Sequence, residues 1–326
     1  MPFTLVLTLL AFYLSSSPVG AWIAVSKVSP TNSVDVFQLD DTGTKTKDLV
    51  TFNVKPGSVI DPNAFACGRC FCLILTTNPA ARTSTLYNMS FCLVPVPTVE
   101  SQVTIPFIAY NLHSYEGEGD GGGGVTLLID HTTTPQTYRA VQVIGRAIVP
   151  GVDISEYVDS MGGSVYPGGT GFCAETKTLW VAIQTQDPRY DTLLTIDMGA
   201  GRVTRNISMA KPALAAHFAD CSTNSLGGVT TETTLGVTSV YLGMLDGQGN
   251  FQTLDSAQLP PGSANLVPTA VAFMHMAKWS PSEYGALLYS PGGALPGTLL
   301  TSTAQQKGPA VLKPMAIVAQ AVSVEY

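Results

Sequence analysis

The feature of the sequence that most constrains its fold is a regular succession of short β-type runs. β-branched and aromatic residues fill these runs, and Gly, Pro, Asn or Asp separate them. One unit is complete: it contains the runs Gly171–Ala174, Leu179–Gln184, Asp191–Asp197 and Arg202–Ile207, with the turn Gly199–Gly201 before the last. Four strands joined by hairpins fit this pattern, so we predict an all-β chain.

The unit recurs along the chain. A second copy runs through Ala216–Asp220 and Val237–Leu245, turns at Asp246–Asn250 and closes with Phe251–Leu254, and a third spans 64–94. The spacing of roughly 40–50 residues is the range of four-stranded propeller blades. We therefore predict a β-propeller of six to seven four-stranded blades, with a β-sandwich as the alternative.

The two ends of the chain predict how such a ring closes. The run that begins at Trp22 has the place of a second strand within a unit, so its unit lacks a first strand. Residues 315–324 form a final apolar run that belongs to no unit. We expect that last strand to complete the first blade, so that residues 22–326 form a single propeller domain.

The segment Leu179–Ile207, with LWVA followed by DTLLTIDMGAGRV, resembles the repeats of quinoprotein-like and YVTN-type β-propellers. Those repeats have an apolar strand, a strand that ends in Asp, a Gly turn and a further strand. The resemblance implies the propeller fold and no particular activity, because propellers host many functions.

The N-terminus has the pattern of a secretory leader. An apolar run over 1–14 is followed by Ser15–Ser17 and by small residues at Val19–Ala21. We expect a signal peptide over 1–21, with a buried N-terminal strand as the alternative. No later run has the length of a membrane span, so we predict a secreted, extracellular protein without one.

All six cysteines follow this leader, and an even number in an exported chain favours disulfides. Cys67 and Cys70 form a C-x-x-C that we interpret as a disulfide clipping a tight hairpin, with a redox pair or a metal site as alternatives. We pair Cys72 with Cys92 within one blade. We pair Cys173 with Cys221 because they occupy similar places in the first strands of adjacent units.

Two sequons, at Asn88 and Asn206, predict N-glycosylation of an exported chain. The formal net charge is −7, and the 16 Lys and Arg residues form no basic run. Phosphate backbones are bound by clustered cations, so we do not expect nucleic acid as a partner.

An acidic, glycine-rich stretch covers residues 116–124. It formally contains G-x-G-x-x-G, but a strand is predicted after it where a dinucleotide site needs a helix. We interpret the stretch as a solvated hairpin loop, in which Glu116, Glu118 and Asp120 are candidate calcium ligands. We expect no other cofactor.

The candidate catalytic residues are few, because no local catalytic motif is present. His217, Asp220 and His275 fall near the starts of consecutive units, and first strands line the channel of a propeller. These residues, with Asp187, would supply a metal site or an acid–base pair at the channel mouth. The alternative is that the histidines are hydrogen-bonded core residues.

Aromatic residues in the predicted loops Pro188–Tyr190 and Trp279–Tyr284 are of the kind that stack on sugars or anchor protein partners. Our first hypothesis is therefore a secreted, non-enzymatic binding or scaffold protein that presents propeller loops to an extracellular carbohydrate or protein. The alternatives are an extracellular hydrolase or lyase of propeller type and a structural component of a wall or coat. The sequence leaves open whether the chain is an enzyme.

Overall fold

The computed structural model describes most of the chain from Trp22 onwards. The described residues are 22–28, 31–40, 43–61, 63–68, 71–90, 97–116, 122–130, 133–211, 216–221, 223–261, 267–274, 281–289, 298–302, 311–314 and 321–324. Among them, no helix is both long and apolar enough to cross a membrane.

The described structure consists of 24 strands and one short helix, numbered here in chain order. The first eight strands are β1 (Trp22–Val28), β2 (Ser33–Leu39), β3 (Lys45–Asn53), β4 (Phe65–Cys67), β5 (Phe71–Asn78), β6 (Thr83–Ser90), β7 (Thr98–Ile105) and β8 (Ile108–Glu116). The next eight are β9 (Gly122–Asp130), β10 (Thr137–Ile144), β11 (Ala147–Asp153), β12 (Ser164–Cys173), β13 (Thr178–Gln184), β14 (Tyr190–Asp197), β15 (Arg202–Ala210) and β16 (Ala216–Asp220). The last eight are β17 (Ser225–Thr234), β18 (Val237–Leu245), β19 (Phe251–Gln258), β20 (Val267–Met274), β21 (Pro281–Tyr289), β22 (Thr298–Ser302), β23 (Val311–Pro314) and β24 (Ala321–Val324).

These strands form six four-stranded antiparallel sheets. Five sheets use consecutive strands, beginning with β4, β8, β12, β16 and β20. The sixth has the order β24-β1-β2-β3, in which Trp22 pairs with Val324 and Val25 with Ala321. The predicted complete unit is the sheet β12 to β15.

The first strand of each sheet lies beside the first strands of its neighbours. Along the chain these contacts join β4 to β8, β8 to β12, β12 to β16, β16 to β20 and β20 to β24, and β24 also contacts β4. Packing sheets around their first strands is the arrangement of a β-propeller, the fold that the repeat predicts. The first strands are called the inner strands below.

Burial within a sheet explains which runs were visible in the sequence. The inner half of the β12–β15 sheet is apolar: in β13, Thr178 to Ile183 are all buried, because other sheets pack on both faces. The outer strand β15 is mostly exposed apart from Met209. Long apolar runs therefore mark second and third strands. In outer strands apolar and polar residues alternate, and this gives a weaker strand signal in the sequence.

The one helix of the described residues is α1 (Ser155–Ser160). It lies between β11 and β12 and buries Val158 against the core shared by the two sheets. The predicted loop Trp279–Tyr284 is wrong in its second half. Strand β21 begins at Pro281 and includes Tyr284, and Trp279 lies outside the described residues.

Two disulfides are described, and one differs from the predicted pairing. Cys173 and Cys221 are bonded, as the repeat spacing predicts, and link β12 to the end of β16. Cys67 is bonded to Cys72, not to Cys70, and this excludes the predicted pair of Cys72 with Cys92. The reason is strand register: Cys67 and Cys72 lie directly opposite each other in the β4–β5 hairpin, with Cα atoms 4.0 Å apart. Cys70 and Cys92 lie outside the described residues.

Candidate functional site

Three neighbouring inner strands, β8, β12 and β16, carry a group of buried polar side chains. His217 on β16 is 2% exposed, and its Nδ1 lies 2.8 Å from the backbone oxygen of Gly168 on β12. Because a carbonyl only accepts, Nδ1 carries the proton and donates. Burial lowers the pKa of His217 to about 4, and the hydrogen bond to Gly168 opposes this shift. The imidazole is therefore neutral at pH 7.

Gly168 is also hydrogen-bonded to a residue of β8. Its N–H donates to Asn111 Oδ1 over 2.6 Å. Asn111 has a φ of 58° and Gly168 a φ of 83°, so both lie in the left-handed region. Strand pairing slips at both places, between Tyr110 and His113 and between Val165 and Thr170. Irregular pairing in β8 and in β12 thus accompanies a hydrogen bond between polar groups of these adjacent inner strands.

His113 is the second histidine of this group. Its Nε2 lies 2.7 Å from Thr170 Oγ1 on β12, and burial lowers the pKa of His113 to about 4. No motif in the sequence marks His113. Asn111 lies in the left-handed region where the pairing of β8 shifts, and local sequence patterns do not reveal that shift.

The structure brings together only part of the predicted catalytic set. His217 and Asp220 lie on the same inner strand, and both are buried. His275 lies outside the described residues. Asp187 lies in the connection between β13 and β14, in a separate exposed group. The histidines that are described make hydrogen bonds between inner strands.

That exposed group consists of the connection 185–189 and the first residue of β14, Tyr190, and is called the 185–190 loop below. Asp187 accepts from the backbone N–H of Arg189 (2.8 Å) and from Arg189 Nε and Nη2 (3.3 and 3.2 Å). The guanidinium carbon lies 5.4 Å from the centre of the Tyr190 ring, and Tyr190 is 44% exposed. The hydrogen bonds from Arg189 lower the pKa of Asp187, and Asp187 in turn raises the pKa of Arg189.

An ion pair between the buried Asp191 and the partly buried Lys211 holds the 185–190 loop in place. Asp191 is fully buried and lies 3.2 Å from Lys211 Nζ. Asp191 Oδ1 also accepts from the N–H of Thr185 over 3.0 Å. Lys211 Nζ donates to the backbone oxygens of Thr185 (3.0 Å) and Asp187 (2.7 Å). One ammonium therefore ties both halves of the loop to a buried carboxylate, which fixes the loop's conformation.

Of the three predicted calcium ligands, Glu116 alone lies within the described residues. Glu116 ends β8 and pairs with Gly122 at the start of β9, so the acidic stretch does connect two strands of a hairpin. Glu118 and Asp120 lie outside the described residues. The one group of three potential metal ligands found within the described residues is elsewhere, at Cys173, Glu175 and Cys221.

The two sequons differ in environment. Asn206 lies exposed on the outer strand β15. Asn88 lies on the third strand β6, where it pairs with Leu73 on one side and Ser101 on the other, and its Oδ1 is buried. Asn206 therefore offers the more accessible amide for a glycan.

Comparison with known proteins identifies the fold. No protein-family model matches the chain, and no curated protein matches it. Among solved structures, the nidogen/laminin complex has a TM-score of 0.50 and 9% identity, over 94% of this chain and 98% of the other. The Dos1 propeller has a TM-score of 0.44 and 10% identity, over 89% and 67%. The β-propeller domain of Myceliophteria thermophila Cps50 (Swd1) has a TM-score of 0.42 and 11% identity, over 90% and 87%. The likeness to the nidogen/laminin complex is one of fold, and together with the packing of the sheets around their inner strands it supports an all-β propeller.

Proposed function

We propose that the chain is an exported, non-enzymatic binding protein whose 185–190 loop contacts a carbohydrate or protein partner. The observation that carries this proposal is the exposed Arg189–Tyr190 stack on a loop held by the Asp191–Lys211 pair. Tyr and Arg are the residue types that contribute most to binding at interfaces. Their aromatic and guanidinium faces also suit stacking on sugars.

The rigidity of the 185–190 loop favours a binding role. A flexible loop loses conformational entropy when it is immobilised by a partner, and this loss weakens affinity. Here Lys211, Asp191 and Asp187 already hold the backbone and the Arg189 side chain in the free protein. The loop therefore presents Tyr190 at a low entropic cost.

The inner-strand histidines favour the binding proposal over a hydrolase or lyase. His217 donates to a backbone carbonyl and His113 contacts Thr170, so each histidine joins two inner strands. Burial keeps both neutral, which suits side chains that hold a scaffold together.

The architecture proposed with this function is one closed ring. In it, the six sheets are six blades, and the pairing of β1 with β24 joins the last inner strand to the first blade. We also propose that residues 1–21 are an export leader. The disulfides Cys67–Cys72 and Cys173–Cys221 are compatible with an oxidising compartment. The nidogen/laminin complex supplies an example of a similar fold engaged with a protein.

The test is a glycan array together with a panel of immobilised extracellular-matrix proteins, probed with the secreted wild-type chain. For any ligand that binds, the double variant Arg189→Ala/Tyr190→Ala should raise Kd by about thirtyfold, the effect of losing a central contact residue. Circular dichroism should show the fold unchanged, because both side chains lie at the surface.

The matched control is Arg202→Ala, which removes an exposed arginine from the start of β15. It should bind like the wild type. Equal affinity of the double variant and the wild type would show that the 185–190 loop is not the contact surface. Silence across both panels would contradict the binding function itself.

A further inference from the structure

Cys173, Cys221 and Glu175 lie together at the ends of two neighbouring inner strands. The ligand atoms of these three residues are all within 4.8 Å of one another, and a Glu175 carboxylate oxygen (Oε2) lies 3.0 Å from Cys173 Sγ. Cys173 is fully buried, whereas Glu175 is exposed. The Glu175 carboxylate is not needed to form the disulfide, and it is not part of the 185–190 loop.

We propose that Cys173, Cys221 and Glu175 form a redox-controlled site for a soft divalent metal ion such as Zn²⁺. In the oxidised chain the two sulfurs are bonded to each other. In the reduced chain they become two thiolate ligands, Glu175 supplies a third, and a water molecule takes the fourth position. Two thiolates and one carboxylate are ligands of the type that Zn²⁺ binds tetrahedrally with one open site.

The strands hold the two cysteines close together independently of the disulfide. The hydrogen bond from His217 to Gly168 lies on one side of the pair along the strands, and that from Thr176 Oγ1 to Asn224 Oδ1 (3.2 Å) lies on the other. Between these two hydrogen bonds, Gly171 packs closely against β16. A Cβ added at Gly171 would lie only 3.3 Å from the backbone nitrogen of Ala219. Breaking the S–S bond therefore leaves the two strands in place.

The spacing suits a metal ion. The Cα atoms of the two cysteines are 5.2 Å apart. Two sulfurs bound to zinc at about 2.3 Å in a tetrahedron are about 3.8 Å apart, which side-chain rotation from this Cα separation allows. Charge also favours metal binding. The three groups carry a negative charge when ionised and lie within 4.8 Å of one another, so a dication offsets their mutual repulsion.

The chemical steps balance with a dithiol as the reductant. The dithiol gives two electrons and two protons to the Cys173–Cys221 bond and becomes a disulfide, which leaves two thiols on the chain. Binding of M²⁺ then releases those two protons as the thiols become thiolate ligands. Oxidation by a disulfide oxidant reverses both steps and expels the ion.

The second described disulfide is a natural control within the chain. Among the described residues, Cys67 and Cys72 belong to no group of three potential metal ligands. The variant Cys67→Ser/Cys72→Ser keeps Cys173, Cys221 and Glu175, so it separates metal binding at these three residues from binding at Cys67 and Cys72.

The experiment is a Co²⁺ titration of the full chain, oxidised and phosphine-reduced, without oxygen. The reduced wild type should bind one ion per chain with the near-ultraviolet sulfur-to-cobalt charge-transfer band of thiolate ligation, and Zn²⁺ should displace it. The oxidised chain should show no band. Glu175→Gln should weaken binding by about tenfold or more, and Cys67→Ser/Cys72→Ser should leave it unchanged.

Three outcomes would overturn the proposal. The first is a reduced wild type that keeps its circular dichroism spectrum and shows no charge-transfer band. The second is equal Co²⁺ affinity in Glu175→Gln and the wild type, since Glu175 would then not be a ligand. The third is unfolding of the chain on reduction, because the site requires β12 and β16 to stay adjacent. None of these results depends on the 185–190 loop.

Discussion

At the scale of single residues, several polar side chains are buried in positions where the lack of a hydrogen-bond or charge partner would destabilise the fold. His217 is buried as a neutral donor to Gly168, and Asp191 is buried as a carboxylate beside Lys211. A buried polar group is tolerated when it is hydrogen-bonded or paired, and its loss of a partner is costly. Stability therefore depends on the ionisation of His217, and the burial of Asp191 depends on Lys211 as its neighbour.

The buried neutral state of His217 predicts acid sensitivity. The pKa of His217 falls from 6.5 to about 4 on folding. Below pH 6.5 the unfolded chain binds a proton that the folded chain does not. The stability associated with His217 is thus complete above pH 6.5 and is lost as pH falls towards 4. We expect a loss of about 2 kcal/mol between pH 7.5 and pH 5 from this residue.

Urea unfolding at pH 7.5 and pH 5 measures this dependence. The variant His217→Asn keeps a donor for Gly168 and removes the titration, so its loss between the two pH values should be smaller by about 2 kcal/mol. His113, with its pKa also lowered to about 4, adds a loss in the same direction in both proteins. An unchanged slope in His217→Asn would contradict the assignment.

At the scale of elements, irregular pairing in β8 and β12 accompanies the polar group between the inner strands. Each irregularity interrupts the pairing of an inner strand with the second strand of its own sheet. The freed groups then bond to the next inner strand, through Asn111 to Gly168 and Gly168 to His217. Irregular pairing within one sheet thus provides hydrogen bonds between sheets.

Two substitutions at Asn111 separate its hydrogen bond from its backbone conformation. Asn111→Gly loses the acceptor for Gly168 but suits the φ of 58°, whereas Asn111→Ala loses the acceptor and adds left-handed strain. We expect Asn111→Gly to lower the free energy of unfolding by about 1–3 kcal/mol and Asn111→Ala by about 1 kcal/mol more. Chemical denaturation of the three proteins checks the order, and equal stability of the two variants would refute the strain.

At the scale of the whole molecule, the sheets depend on one another through the inner strands. Each inner strand contacts those of the neighbouring sheets, and β24 brings the end of the chain back to β1. In the proposed closed ring, stability is shared around the circle, so a break at the joint between the first and last strands should affect every blade.

Deletion of residues 315–326 tests the joint. Without β24, strand β1 loses its inner neighbour and becomes an edge, so the thermal midpoint should fall by roughly 5 °C or more and the transition should broaden. Deletion of 325–326 alone leaves the paired residues Ala321–Val324 intact and should change neither. A deletion of 315–326 that unfolds like the wild type would disprove closure by this pairing.

The sequence could predict what depends on local pattern. Alternation and turn residues marked the strands of β12–β15 and the repeat, because hairpins join residues that are close in the chain. The bond between Cys173 and Cys221 followed from their equivalent places in adjacent repeats. Arg189 lies in a segment that the turn signals already marked as a loop, whereas Tyr190 of the same predicted loop begins β14.

Tertiary structure decided what depends on register and on contacts between sheets. Cys67 pairs with Cys72 because the hairpin puts them opposite each other, which C-x-x-C spacing does not reveal. His113 joins the inner-strand group only because a left-handed Asn111 shifts β8, and Lys211 reaches the 185–190 loop only through the pairing of β14 with β15. Hydrophobic periodicity specifies which residues are buried, but a one-residue slip in pairing changes which polar atoms meet, and only the packed sheets set that register.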